Sequence, residues 1–266
     1  MGKFVEGRNR REQLSIELLN SIQLLNVTEI EVLQEVIFTI DIKYAQKKAN
    51  LEPALVCALL LNHQQVPSLY ATTSRGYNKQ KAEYRKHYQS NIQENLLPRA
   101  IEQVLQLNIP RTLVQDEVIA ENASMRKILA QSWREIEGKG RPKGEKSDIF
   151  DVLANLSLTN LVEQEVIKDS YSHIKNDYDS NSDRINLSDV CALVLNNEYV
   201  PALYATNAKE YNQLKQTYIT QHQTKVRQII RGTVKQVNLE GSEHSFSQNN
   251  MAKNAANFRN INSWDS

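Results

Sequence analysis

Very little in this sequence would break a helix. Eight glycines and six prolines are spread over 266 residues, too few for a fold of many short strands and turns, so long helices are favoured. Two cysteines, Cys57 and Cys191, make neither a disulfide framework nor a structural zinc site, which takes about four ligands. Charge of one sign is missing too. The 32 Lys and Arg against 31 Asp and Glu leave a formal +1, which excludes a global field drawing the chain to nucleic acid or to an anionic membrane. The longest apolar runs, LVCALLL among them, fall far short of the ~20 residues of a membrane span. The opening MGKFVEGRNRR has no apolar stretch for a signal peptide and no Ser or Thr placed for myristoylation. The expectation is a folded, cytoplasmic chain with no membrane partner.

What the sequence does contain is a second copy of itself. VCALLLNHQQVPSLYAT begins at Val56 and VCALVLNNEYVPALYAT at Val190, an offset of 134 with twelve of seventeen columns identical. The same offset pairs Asn26 with Asn160, Glu29 with Glu163, Ile40 with Ile174 and Tyr44 with Tyr178. Further on it pairs Tyr77 with Tyr211, Lys81 with Lys215 and Tyr84 with Tyr218. The expected organisation is a helical repeat over 20–107, a helical connector and basic linker over 108–150, a second repeat over 151–240, and a polar, disordered tail over 241–266. Within the connector, 111–137 reads as helix and 138–147, GKGRPKGEKS, as a flexible linker.

Each copy reads as helices. Asn26 with Glu29, and Asn160 with Glu163, fit a capping box at a helix start. Behind each cap, Leu33, Ile37, Ile40 and Tyr44 (Ile167, Tyr171, Ile174 and Tyr178 in the second copy) recur at spacings of 4, 3 and 4, one apolar helix face. The VCALLLN and VCALVLN segments predict a short buried helix, stopped by Pro67 or Pro201. Thr72-Thr73 and Thr206-Asn207 supply caps for a third helix. Its buried stripe is Tyr77, Tyr84, Tyr88, Ile92 and Leu96, or Tyr211, Tyr218, Val226 and Ile230. Pro98 and Gly232 share a column and predict a break in both long helices.

Duplication also screens candidate chemistry, since a function kept by both copies places its residues in both. The histidines fail: His63 pairs with Asn197, His87 with Gln221 and His222 with Tyr88, and His173 and His244 have no histidine partner. No phosphate-loop glycine pattern or HExxH is present, so no catalytic residue, metal ligand or cofactor is proposed, and the expectation is a protein that is not an enzyme. Cys57 and Cys191 do pair, on an apolar helix where a small buried residue is expected. The basic run Arg75, Lys79, Lys81, Arg85, Lys86 and His87 keeps only two basic counterparts, Lys209 and Lys215, and reads as a solvated face.

The sharpest shared pattern is Asn62, Tyr70, Thr72 and Arg75, with Asn196, Tyr204, Thr206 and Lys209 in the second copy. One reading is architectural: the Asn closes a helix, the Tyr packs and the Thr caps the next helix. The other is a binding site. A helix N-terminus offers free N–H groups and a positive dipole end, Arg75 or Lys209 follows three positions after the Thr, and the Tyr ring offers a stacking face.

In these segments the chain resembles the ComFB (late competence development) family. Asn26, Glu29 and Val32 lead to VCALLLN ending at Asn62, then Tyr70-Ala71-Thr72, Gly76, Tyr77 and Gln80. In the second copy Asn160, Glu163 and Val166 lead to DVCALVLN ending at Asn196, then Tyr204-Ala205-Thr206. The resemblance implies an all-α, dimer-forming domain. In the cyanobacterial branch it implies a receptor for the cyclic di-nucleotide second messengers cyclic di-GMP or cyclic di-AMP. Fused in tandem, two such domains are expected to form an intramolecular pseudo-dimer, with a two-fold symmetric ligand bound where the copies meet and association into a homo-oligomer left open. The rival expectation is a protein–protein interaction scaffold with a regulatory protein partner and no nucleotide.

Overall fold

The computed structural model describes residues 18, 21–107, 129, 133–134, 136, 149–178 and 184–240. The linker expected over 138–147 and the tail expected over 241–266 lie outside the described residues. So does most of the helix expected over 111–137, of which Leu129, Trp133, Arg134 and Ile136 are described and helical.

The described chain is predominantly helical. A two-residue strand, β1 (Leu25–Asn26), leads into α1 (Val27–Lys43). A 3₁₀ turn (Ala45–Asn50) follows, then α2 (Pro53–Leu61), β2 (Tyr70–Ala71), α3 (Ser74–His87) and α4 (Leu97–Leu107). After α5 (Ile149–Asn155) the pattern recurs as β3 (Thr159–Asn160), α6 (Leu161–Asp177), α7 (Leu187–Leu195), β4 (Tyr204–Ala205), α8 (Ala208–Thr217) and α9 (Gln223–Glu240). β1 pairs antiparallel with β2, and β3 with β4.

Local chemistry explains the starts. Asn26 and Asn160 are extended residues whose side chains each accept from the backbone N–H three residues on, at 3.2 Å, as an N-cap does. The first helical N–H of each, on Val27 and Leu161, goes to the carbonyl of Leu69 and of Leu203. Each long helix therefore begins against the strand that carries the tyrosine. α2 is apolar nearly all round and lies between α1 and α4, while α7 lies between α6 and α9. Lys81 reaches Glu31 at 2.7 Å and Lys215 reaches Glu165 at 3.5 Å, fastening the third helix of each half to the first.

Three sequence expectations need correction. α2 and α7 end at Asn62 and Asn196, five residues before the prolines, each followed by a tight turn, so Pro67 and Pro201 do not stop them. The caps of α3 and α8 do fall within the expected pairs, on Thr73 and Asn207, which accept from Gly76 and Glu210 N–H, but Thr72 and Thr206 are not themselves caps. Nor do the helices break at Pro98 and Gly232. Pro98 sits in the first turn of α4 behind a wide π turn (Ile92–Leu96), and α9 runs straight through Gly232.

The core draws on both halves. α5 packs on α1, and Trp133 donates its indole N–H to the Leu24 carbonyl at 2.8 Å and lies against Phe150. Ser188 Oγ at the start of α7 accepts from the Gln23 N–H at 2.9 Å. No helix among the described residues is long and apolar enough to cross a membrane.

Candidate functional site

The residues singled out by the shared pattern do come together, but across the two halves. β2 meets α7 and β4 meets α2, so each Tyr-Ala corner faces a helix end of the other half of the chain. Asn62 uses its side-chain amide as a short strand would. Its Oδ1 accepts from the Tyr204 N–H at 2.7 Å and its Nδ2 donates to the Tyr204 carbonyl at 2.9 Å. Asn196 does the same for Tyr70, at 2.6 and 3.0 Å. Four hydrogen bonds thereby tie residues 126 or 142 positions apart.

Beneath these corners the tyrosine side chains meet. Tyr70 and Tyr204 are buried, at 1% and 3% exposure, and their hydroxyls lie between the Asn26 and Asn160 side chains. Asn26 Nδ2 donates to Tyr70 at 3.0 Å and to Tyr204 at 2.7 Å; Asn160 Nδ2 donates to Tyr70 at 2.8 Å and to Tyr204 at 3.0 Å. Each hydroxyl then donates onward to a glutamate of the opposite half, Tyr70 to Glu163 at 2.9 Å and Tyr204 to Glu29 at 3.4 Å. Donors and acceptors match in this ring: each Asn amide gives to both hydroxyls, each hydroxyl accepts twice and donates once, and both Asn oxygens sit on helix caps. Burial, then the Glu163 charge and the neighbouring Tyr204, hold the Tyr70 phenol well above its ordinary value. It stays a neutral donor.

The remaining candidates fall into two pairs. Thr72 is buried and donates to Asp189 Oδ1 of the other half at 3.0 Å. Thr206, half-buried, sends both its N–H and its hydroxyl to Glu210 Oε2, at 2.9 and 2.8 Å. Arg75 and Lys209 lie exposed on the first turns of α3 and α8. The tyrosine rings offer no open stacking face, and the two threonines do not present free helix N–H groups.

Where Asp189 closes one seam, the equivalent column of the first half holds Leu55, and the other seam is open. A groove of about 250 Å³ lies there. Its walls are Leu55 and Leu59 of α2, Val104 and Leu107 of α4, and Leu214 of α8, with Asn62, Tyr204, Thr206 and Glu210 at its polar end. In the sequence Asn26, Glu29, Asn160 and Glu163 read as helix caps and as part of the motif that carries the family resemblance, not as site residues. Their recurrence at the same offset of 134 as the tyrosines is the signal that they belong to the same constellation.

No family model, curated protein or solved structure matches this chain. The resemblance to the ComFB family therefore rests on the repeated motifs alone.

Proposed function

We propose that the chain is a non-enzymatic interaction module, an intramolecular pseudo-dimer of two similar helical halves that meets another protein through its outer apolar surface. One observation carries the reading: the polar groups that would otherwise greet a nucleotide are spent on each other. The amides of Asn62 and Asn196, the hydroxyls of Tyr70 and Tyr204 and the side chains of Thr72 and Thr206 all have partners inside the protein. Replacing such a contact by one to a ligand would leave buried groups unpaired, at about 1–3 kcal/mol each. Beside these corners lies an apolar groove at Leu55, rimmed by the acidic Glu210, which suits side chains better than phosphates.

The second reading, a cyclic di-nucleotide receptor, keeps one supporting feature. Thr206, Asn62 and Tyr204 edge the groove, and Arg75 and Lys209 stay exposed at helix starts. Titration calorimetry of the full chain with cyclic di-GMP and with cyclic di-AMP separates the two. The interaction reading expects no heat and no thermal shift at high micromolar ligand. Saturable heat, weakened about tenfold or more by Arg75→Ala or Lys209→Ala, would replace it with the receptor reading.

A further inference from the structure

The two halves share the Asn–Tyr contacts at their joint, and several positions away from that joint differ between them. Of the divergences that leave apolar surface among the described residues, two fit one another. On α1, Phe38 and Ile42 are each 62% exposed. They sit one helical turn apart, a spacing of about 6 Å between Cβ atoms. The same columns of α6 hold Ser172 and Asn176. The second divergence is the groove: Leu55 stands where the other half has Asp189, Val104 where it has Asn238, and the 53%-exposed Leu107 where it has Gly241. On the α2 wall, Leu55 and Leu59 are also one turn apart.

We propose that the occupant of this groove is the Phe38–Ile42 ridge of a second copy of the chain. Ridge and groove match in spacing, since an i,i+4 row of one helix packs into the furrow beside an i,i+4 row of another. They also match in charge. The ridge ends at the exposed Lys43, in the last turn of α1, and the groove ends at Glu210. Ridge and groove share no residue, so a copy that gives its ridge keeps its groove open. The contact is heterologous, and association continues past the dimer as a chain or a closed ring. This inference rests on the groove being a docking surface, as proposed above, and names its partner.

The test is sedimentation velocity of the full chain over a concentration series, with two variants whose folding is checked by circular dichroism. Phe38→Asp removes the ridge and keeps the groove; Leu107→Glu removes the groove and keeps the ridge. Both positions are exposed, and Ile42→Glu serves as a second ridge variant. The expected result is concentration-dependent growth beyond dimer for the natural chain and association weakened about tenfold or more for each variant alone. An equimolar mixture of Phe38→Asp and Leu107→Glu should form a one-to-one complex that grows no further. A chain monomeric at every concentration, a natural chain that stops at dimer, or a mixture that stays monomeric would each overturn the proposal. A monomeric chain that binds an unrelated protein, and loses it on Leu107→Glu, would overturn this inference while leaving the interaction reading standing.

Discussion

Asp189 is a carboxylate in a poor place for a charge. It is 7% exposed, and burial raises its pKa above the ordinary value of 3.8, the hydrogen bond from Thr72 pulling partly the other way. A raised acid binds its proton more tightly in the folded state than in the unfolded one. Its contribution is therefore fully present below the unfolded value and is lost as pH rises through the folded one. Asp189→Asn keeps an oxygen for Thr72 and removes the charge. We expect the variant to match or exceed the natural chain in denaturant midpoint at pH 7, with the advantage shrinking as pH falls toward 4. An advantage that grew on acidification would contradict the sign. Cys57 and Cys191 follow the same logic: burial alone pushes the Cys57 thiol up, and Cys191 reaches about 12, so both are inert small core residues, as an apolar helix position suggests.

At the level of elements, the instructive differences lie in how the long helices change direction. In the first half Tyr88 leaves helical angles (φ −124°, ψ −33°), and a π turn (Ile92–Leu96) then precedes Pro98. A proline ring clashes with the carbonyl four residues back, and the widened turn relieves it. In the second half the π turn comes at Tyr218–His222, the column of Tyr84, and the helix beyond is unbroken. Gly232 does not break α9 because glycine costs only about 1 kcal/mol in a helix interior, less than packing returns through Ile229, Ile230, Thr233 and Val234. Gly232→Ala should accordingly raise unfolding free energy by about 1 kcal/mol, measured by urea denaturation. A loss of stability would mean that this glycine marks a real bend.

Across the whole molecule, the tyrosine–asparagine ring is the joint. It is fully paired only when both halves are in place, so neither half keeps its buried polar groups satisfied alone. The expectation is one cooperative unfolding transition for the full chain, with calorimetric and van't Hoff enthalpies in agreement. Tyr70→Phe deletes one hydroxyl, leaving donors on Asn26 and Asn160 and an acceptor on Glu163 without their partner. It should lower stability by about 1–3 kcal/mol while the transition stays single. Two resolved transitions in the natural chain would mean that the halves fold independently.

The helical class, the N-caps at Asn26 and Asn160 and the burial of Cys57 and Cys191 were legible in the residues, because periodicity and capping are local. They are settled within one or two turns of chain. The Tyr-Ala-Thr columns also stand out in the sequence, because the same residues recur at an offset of 134. Their partners were not legible. Nothing near Asn62 in the chain indicates that its amide clasps the backbone of Tyr204, nor that Thr72 and Thr206, alike in sequence, turn to Asp189 and to Glu210. A hydrogen-bonding side chain carries the same letters whether it waits for a ligand or for the other half of its own protein, and only the meeting of distant segments in space decides which.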